Sequence, residues 1–591
     1  MRLTLIALLI ALPSLAQGAE PEPAGYWTLD QAREILDKTR HVRIGPDLDA
    51  LTPGEREAVD KLLAAGRLLH ELYLDSKHPQ ALDAARELDA ADPDDPRMAA
   101  LGQLFYMFRG PVATTLDNRR EPFLPVSAEE PGRNVYPSGL ERAPLEALIA
   151  RRPELEPGLM GLRTVVRKSS ATNIDRDLAR LDRYPAIEIL HPGLRERLSS
   201  LRERQDDAGF YALPYSLHWA PRMMRVFALL NEAADAVTEV DPDFAAYLRL
   251  RARDLLSDDY EGGDAAWVSG DFRRINAQIG SYESYDDALF GVRTFFSLSL
   301  LVRDAERTAE LQQAIGGIQA LQDSLPQDSE RKVRSRIPVG VYEVIADFGQ
   351  ARGTNTASIL PNEPDHTRKY GRIILLRGNI LTHPGLFADS AQVYAAAVGP
   401  ERAADYLPEG PFYRTLWHEI GHYLGVDRTR AGGDLGTALS PWGDLFEELK
   451  SDLVSLYVAR DLYRQDLIDE SMLKAIYASG IRRVLQRVQP RREQPYQTMQ
   501  LMQMNYFIEQ GLLAFGREWL ELDYDVYHDA VTAMLRDVLR IQEDGDAEAA
   551  GDFVRRYAVW DPRRHGRLAE RLLAANPYQF RIVHYQALES P

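Results

Sequence analysis

Apolar residues recur at three- and four-residue spacing from Gln31 to about Ala100, as in Ala58, Leu62, Leu63 and Ala65 followed by Leu68, Leu69 and Leu72, and this period predicts helix. A stretch rich in Pro and Gly, Gly110 to Gly139, lacks the period and reads as ordered loop. Helical patterning resumes from Glu141 to about Leu256. The chain then turns polar and Gly-containing from Tyr260 to Tyr285, before an apolar run, Ala288 to Val302, that reads as helix. Ile337 to Ile380 differs in kind: Val339, Val341, Tyr342, Val344 and Ile345, then Ile373 to Leu376, are rich in β-branched residues and bounded by Gly and Pro, which predicts strands. Helical spacing returns from Ala391 to Leu573, and a short β-like run, Phe580 to Tyr585, is expected to rejoin the strands. No internal repeat of fixed period is present. The pattern is that of an α+β chain, mainly α with a smaller β part.

Length turns this into more than one core, because 591 residues exceed what a single hydrophobic core supports. Seventy Lys and Arg stand against 89 Asp and Glu, and the net charge of −19 disfavours phosphate backbones and anionic lipid surfaces, so no nucleic-acid partner is expected. The first residues, MRLTLIALLIALPSLAQGAE, place one Arg before a short apolar run and then small residues, the layout of a cleavable signal over 1–19. The run Leu3 to Leu12 is too short to span a bilayer, so export to the periplasm is expected, with no integral membrane segment after signal removal. Cysteine is absent, which excludes disulfides, thiolate metal sites, a Cys nucleophile and a lipidated N-terminal Cys. Any metal must use His and carboxylates.

His418-Glu419-Ile420-Gly421-His422 is an HExxH motif. On a helix, i and i+4 share a face, so both imidazoles can reach one Zn²⁺ while Glu419 takes a proton from a water activated there. The position of the third ligand decides the type. A metzincin would place a His at 428, where this chain has Arg428. A gluzincin takes a Glu from a second helix, and Glu448 stands in the helical run Asp444 to Leu453. Glu447 and Asp452 share that run and can accept the second ring N–H of each His. Read alone, Glu447, Glu448, Lys450 and Asp452 would be a solvated charged face; with HEIGH upstream they read as ligand and support. The arrangement is that of a one-zinc hydrolase of amide bonds.

The HEIGH motif followed by Glu-Glu-Leu-Lys-Ser-Asp at 447–452 resembles the two zinc motifs of the dipeptidyl peptidase III family, in its short bacterial form. Further segments resemble the family: Gly110-Pro111, Leu116-Asp117-Asn118, Pro122 to Pro125, Phe244 with Tyr247-Leu248, Ile279 to Glu283 with Tyr285, and Leu360-Pro361-Asn362. The resemblance implies a helical zinc-bearing lobe, 287–330 with 389–574, facing a mixed α/β lobe that contains a small β-barrel, 20–286 with 331–388 and 575–591, and a peptide substrate held in the cleft between them. It also implies substrate contacts. Asn276 and Gln278 stand where the family has a Glu that holds the free amine and a Tyr that assists the transition state; Asn362 matches a substrate-binding Asn, Ile359 replaces another, and Tyr496 takes the place of an oxyanion-stabilising His.

An exported zinc metallopeptidase acting on short peptides is thus the expected function. The alternatives are a catalytically impaired zinc- and peptide-binding protein and a zinc hydrolase of a non-peptide amide. Arg482, Arg483, Arg487, Arg491 and Arg492 read as a solvated helix face, Tyr282 and Tyr285 as cleft or packing residues, and His366 and His383 as loop residues.

Overall fold

The computed structural model describes residues 25–589 apart from 205–208, 315–316, 334–336 and 492–494; the expected signal segment at 1–19 lies outside the described residues. Helices dominate, and a five-stranded sheet forms the centre. Its strands run in the order Ile275–Ser281, Phe296–Asp304, Val339–Gly349, Ile373–Arg377, Ala357–Leu360. The first three pair antiparallel, Ile373–Arg377 lies parallel to Val339–Gly349, and Ala357–Leu360 closes the far edge antiparallel.

Both faces of this sheet are covered. Along Ile373–Arg377, Ile373 and Leu375 join one hydrophobic core while Ile374 and Leu376 join another. The first core gathers the helices Pro53–Lys77, Ala220–Val237 and Pro242–Ser257; the second gathers Glu409–Gly421, Gly443–Arg464, Glu470–Val484 and Tyr527–Asp544. Pro53–Lys77 starts as its sequence dictates, with Thr52 and Glu55 forming a reciprocal capping box and Pro53 in the first turn. It crosses the sheet closely at Gly66, where an added Cβ would stand 2.3 Å from the Phe348 ring.

Four expectations are corrected. Phe296–Asp304, inside the run read as helix, is a strand whose first six residues are buried. Ile275–Ser281, read as part of a polar stretch, is a strand buried along its whole length. Both lie between covered faces, and such strands lose the alternation that marks a half-exposed one. The sheet also closes into no barrel among the described residues: its edges, Ile275–Ser281 and Ala357–Leu360, pair with nothing further, because helices cover both faces and keep it open. Finally, Phe580–Tyr585 does not rejoin the sheet but pairs in parallel with Thr39–Ile44, and the Tyr585 hydroxyl reaches the sheet at Asp347 Oδ2, 3.0 Å. The stretch after Gly110 folds as a short hairpin, Val112–Thr114 with Arg120–Pro122. No described helix is long and apolar enough to cross a membrane.

Candidate metal centre

Glu409–Gly421 and Gly443–Arg464 cross where Gly421 meets Ser451, and an added Cβ on Gly421 would lie 2.9 Å from the Ser451 carbonyl oxygen. That approach brings three ligand atoms together. His418 Nε2 stands 3.2 Å and His422 Nε2 3.9 Å from Glu448 Oε2, and the three side chains offer atoms within 4.8 Å of one another.

The supporting bonds fix which atoms face inward. His418 Nδ1 pairs with Asp452 Oδ1 at 2.7 Å and His422 Nδ1 with Glu447 Oε1 at 2.9 Å, so both rings present Nε2 to the common point. Asp452 is itself held by Arg483 at 2.8 Å, Arg414 at 3.2 Å and Gln503 at 3.2 Å. Lys450 Nζ bonds Glu447 at 2.8 Å and the carbonyls of Gly421 and Leu424. Burial disfavours charge on His418, but Asp452 and Glu448 outweigh it and raise the ring to about 9. Burial would also raise Glu447 and Asp452, yet Lys450 and His422 hold the first below the usual carboxylate range, and Arg483 and His418 the second well below it. Carboxylates therefore back both rings at their Nδ1 sides, and Glu448 faces the two Nε2 atoms.

The donor set fits Zn²⁺: two imidazole nitrogens and one carboxylate, with room left for a fourth ligand. Glu448 Oε2 is buried without a hydrogen-bond partner, an orphan that a cation would satisfy. Glu448 Oε1, by contrast, accepts from Tyr496 OH at 2.8 Å. Glu419 is 8% exposed and follows His418 on the same helix.

Beyond the ligands the expected substrate residues separate. Asn276 is 1% and Gln278 5% exposed in the strand Ile275–Ser281; Asn276 accepts from Trp267 Nε1 at 2.8 Å and donates to Tyr342, and Gln278 faces Arg377. They belong to the interior of the sheet lobe and not to the metal centre. The loop just past that strand reaches the centre instead. Tyr285 OH lies 3.4 Å from Tyr496 OH, and Glu283 is pushed up to about 7, first by burial and further by Glu448, Asp444 and Glu419. Glu283 and Tyr285 stand past the end of the strand, in Tyr282-Glu283-Ser284-Tyr285, part of the segment noted above for its resemblance to the family.

On the other side of the metal ligands lies a cavity of about 650 Å³, lined among others by Asn362, Arg372, His422, Tyr423, Asp444 and Glu447. Asn362 donates to the Tyr282 carbonyl at 3.1 Å, linking this cavity to the Glu283 segment, and Ile359 packs on the second core. Tyr282 is a core residue whose hydroxyl donates to Asp264 at 2.7 Å.

A second cluster, Asp264, Glu363 and His366, also brings ligand atoms together. Arg251 and Arg163 occupy its carboxylates, and His366 donates to Asp264 at 2.8 Å, so its charges are already balanced. His366 is therefore buried structure, and His383 is a helix cap that accepts from Gly385 and Leu386. Arg483 turns inward to Asp452, which corrects the expectation of a solvated basic face.

No protein-family model matches the chain. Nudix hydrolase 3 of Arabidopsis thaliana is 25% identical over 442 residues, 73% of this chain and 54% of that protein; the chain spans about half the length of this curated relative. Two solved structures cover almost the whole molecule. Dipeptidyl peptidase III from Caldithrix abyssi superposes with a TM-score of 0.76 and 22% identity, over 95% of this chain and 99% of the other. Dipeptidyl-peptidase III from Corallococcus sp. strain EGB gives 0.79 and 21%, over 95% and 98%. The two-lobed fold of the chain is the fold of these structures.

Proposed function

We propose that the chain is a zinc metallopeptidase that binds peptides by their free amino end in the cleft beside His418, His422 and Glu448. The observation that carries the reading is the convergence of two oriented Nε2 atoms and the orphaned Glu448 Oε2 on one point. Zinc held there supplies a Lewis acid for the scissile carbonyl and a bound water of lowered pKa.

The chain's own residues do the rest. Glu419 takes a proton from the attacking water and delivers it to the leaving amine. The hydroxyls of Tyr285 and Tyr496 donate to the carbonyl oxygen as it gains charge, Tyr496 leaving Glu448 Oε1 to do so. Glu283 receives the substrate ammonium: ion pairing restores the charge that burial disfavours. Asn362 and the cavity of about 650 Å³ receive the chain beyond the cut. With Glu283 and Tyr285 supplying an acid and a phenol at the centre, turnover is favoured over a merely binding role.

The signal-like start, with its short apolar run and the absence of Cys, supports export to the periplasm and a soluble peptide substrate. The decisive test is metal analysis together with cleavage profiling of a mixed peptide pool. About one zinc per chain and chelator-sensitive cuts near free amino ends are expected; zinc-loaded protein inert on the whole pool overturns the proposal.

A further inference from the structure

Two neighbouring cavities whose walls contain none of His418, His422 and Glu448, about 470 and 340 Å³, share Arg487, Val488, Gln497 and Gln579. Among the described residues neither wall contains an Asp or Glu, although the chain as a whole carries a net charge of −19. Arg109, Arg352, Arg487 and Arg581 line the larger, and Arg482 and Arg487 the smaller, which also holds the two Arg committed to Asp452.

The first five guanidinium groups donate hydrogen bonds only to neutral partners, with Asp347 acting at longer range on Arg352 and Asp389 on Arg482, Arg487 and Arg581. Arg109 donates to the carbonyls of Gly349 and Gln350, Arg482 to that of Ser390, Arg487 to those of Asn576 and Tyr578, and Arg581 to the Thr354 hydroxyl. Arg352 lies over the Tyr106 ring, 4.1 Å from its centre, with a buried Nε that has no partner. Among the described residues none of the five forms an ion pair. The nearby acid Asp389 is taken by Arg40 at 2.5 Å and by Asn576. Burial, then repulsion from Arg482 and Arg581, depresses Arg487 to about 10. Clustered, partly desolvated like charges are costly unless something of opposite sign is bound.

We infer that these joined cavities bind a small multivalent oxyanion, a phosphate compound or a polycarboxylate, held by Arg352, Arg487 and Arg581. Guanidinium forks suit phosphate and carboxylate equally, and a single negative charge would leave most of the cluster unbalanced. Arg487 extends from the zinc-bearing side and Arg352 and Arg581 from the sheet side, so the anion would bridge the two cores. Arg352, Arg487 and Arg581 themselves bond none of the groups of the metal centre.

The test is thermal melting and titration calorimetry of the full chain at low ionic strength with sodium tripolyphosphate, with citrate, and with NaCl at matched ionic strength. Millimolar tripolyphosphate or citrate should raise the melting temperature by several degrees while NaCl does not, and the stronger of the two identifies the source. Arg352→Gln/Arg487→Gln/Arg581→Gln should remove the shift. A shift that survives in this variant, or no shift with either anion in the wild type, overturns the inference. Should the variant fail to fold, wild-type crystals soaked in tungstate decide: an anomalous peak between Arg352 and Arg487 supports the site, and peaks only elsewhere reject it.

Discussion

At the scale of single residues the separation of roles can be tested atom by atom. Glu419 touches none of the metal ligands' supporting bonds, so Glu419→Gln should keep about one zinc per chain while lowering kcat roughly 10²- to 10⁴-fold, as loss of a general base does; metal analysis and kinetics on one sample check both halves. Glu283→Gln removes the charge offered to the substrate amine but leaves a polar side chain of the same shape. A charge-assisted bond is worth about 1.5–3 kcal/mol, so KM for peptides with a free amino end should rise about 10- to 100-fold, while the slow cleavage of N-acetylated peptides stays unchanged. Equal losses on both substrates would remove Glu283 from amine recognition. Residues differ in how far the sequence reveals them. The ligands could be read because i, i+4 spacing on a helix leaves little freedom, and Glu447 and Asp452 because they share a helix with Glu448. Glu283 and Tyr285 were legible only through the family-like segment from Ile279 to Tyr285, since a loop past a strand has no period of its own.

Elements set how closely these residues can meet. The crossing at Gly421 allows His422 and Glu448 to share one ion, and a branched side chain there must displace the Ser451 backbone. Metal–ligand distances tolerate only about 0.2 Å, so Gly421→Val should weaken zinc affinity by about tenfold or more, measured by competition with a chelating dye. A second element-level prediction concerns the end of Pro242–Ser257. Asp258 Oδ2 accepts from the Ser216 backbone and hydroxyl at 3.0 and 2.8 Å, and burial raises its carboxyl to about 7. Unfolded Asp titrates near about 3.9. The folded group holds its proton longer, so its contribution to stability is complete below the unfolded value and is lost as pH rises towards 7. Asp258→Asn keeps an acceptor for Ser216 without the titration. The urea midpoint of the wild type, relative to the variant, should therefore fall between pH 4 and 7; parallel curves would remove Asp258 as the cause. Helices were legible element by element, since caps such as Thr52 with Glu55 and a three-to-four period announce them. The strands at Ile275 and Phe296 were not, because burial on both faces erases alternation.

The whole molecule couples the metal centre to the sheet through shared strands. Ile374 and Leu376 pack on the core that contains both zinc helices, while Ile373 and Leu375, on the same strand, pack on the other. Unfolding the metal-bearing core would strip one face of a sheet that the remaining core needs intact. The two cores should therefore melt together, although each is large enough to suggest a separate unit. On the proposed reading the metal binds only the native arrangement, and a ligand present at 1,000 times its Kd adds about 4 kcal/mol to folding. Chelation should consequently move one calorimetric transition down by several degrees, leaving it single. Splitting into an early, chelator-sensitive transition and an unmoved later one would show that the shared sheet does not transmit the loss. The resemblance pointed to a barrel in the sheet lobe, whereas an open sheet covered on both faces is what lets one strand serve two cores, and this coupling rests on that difference.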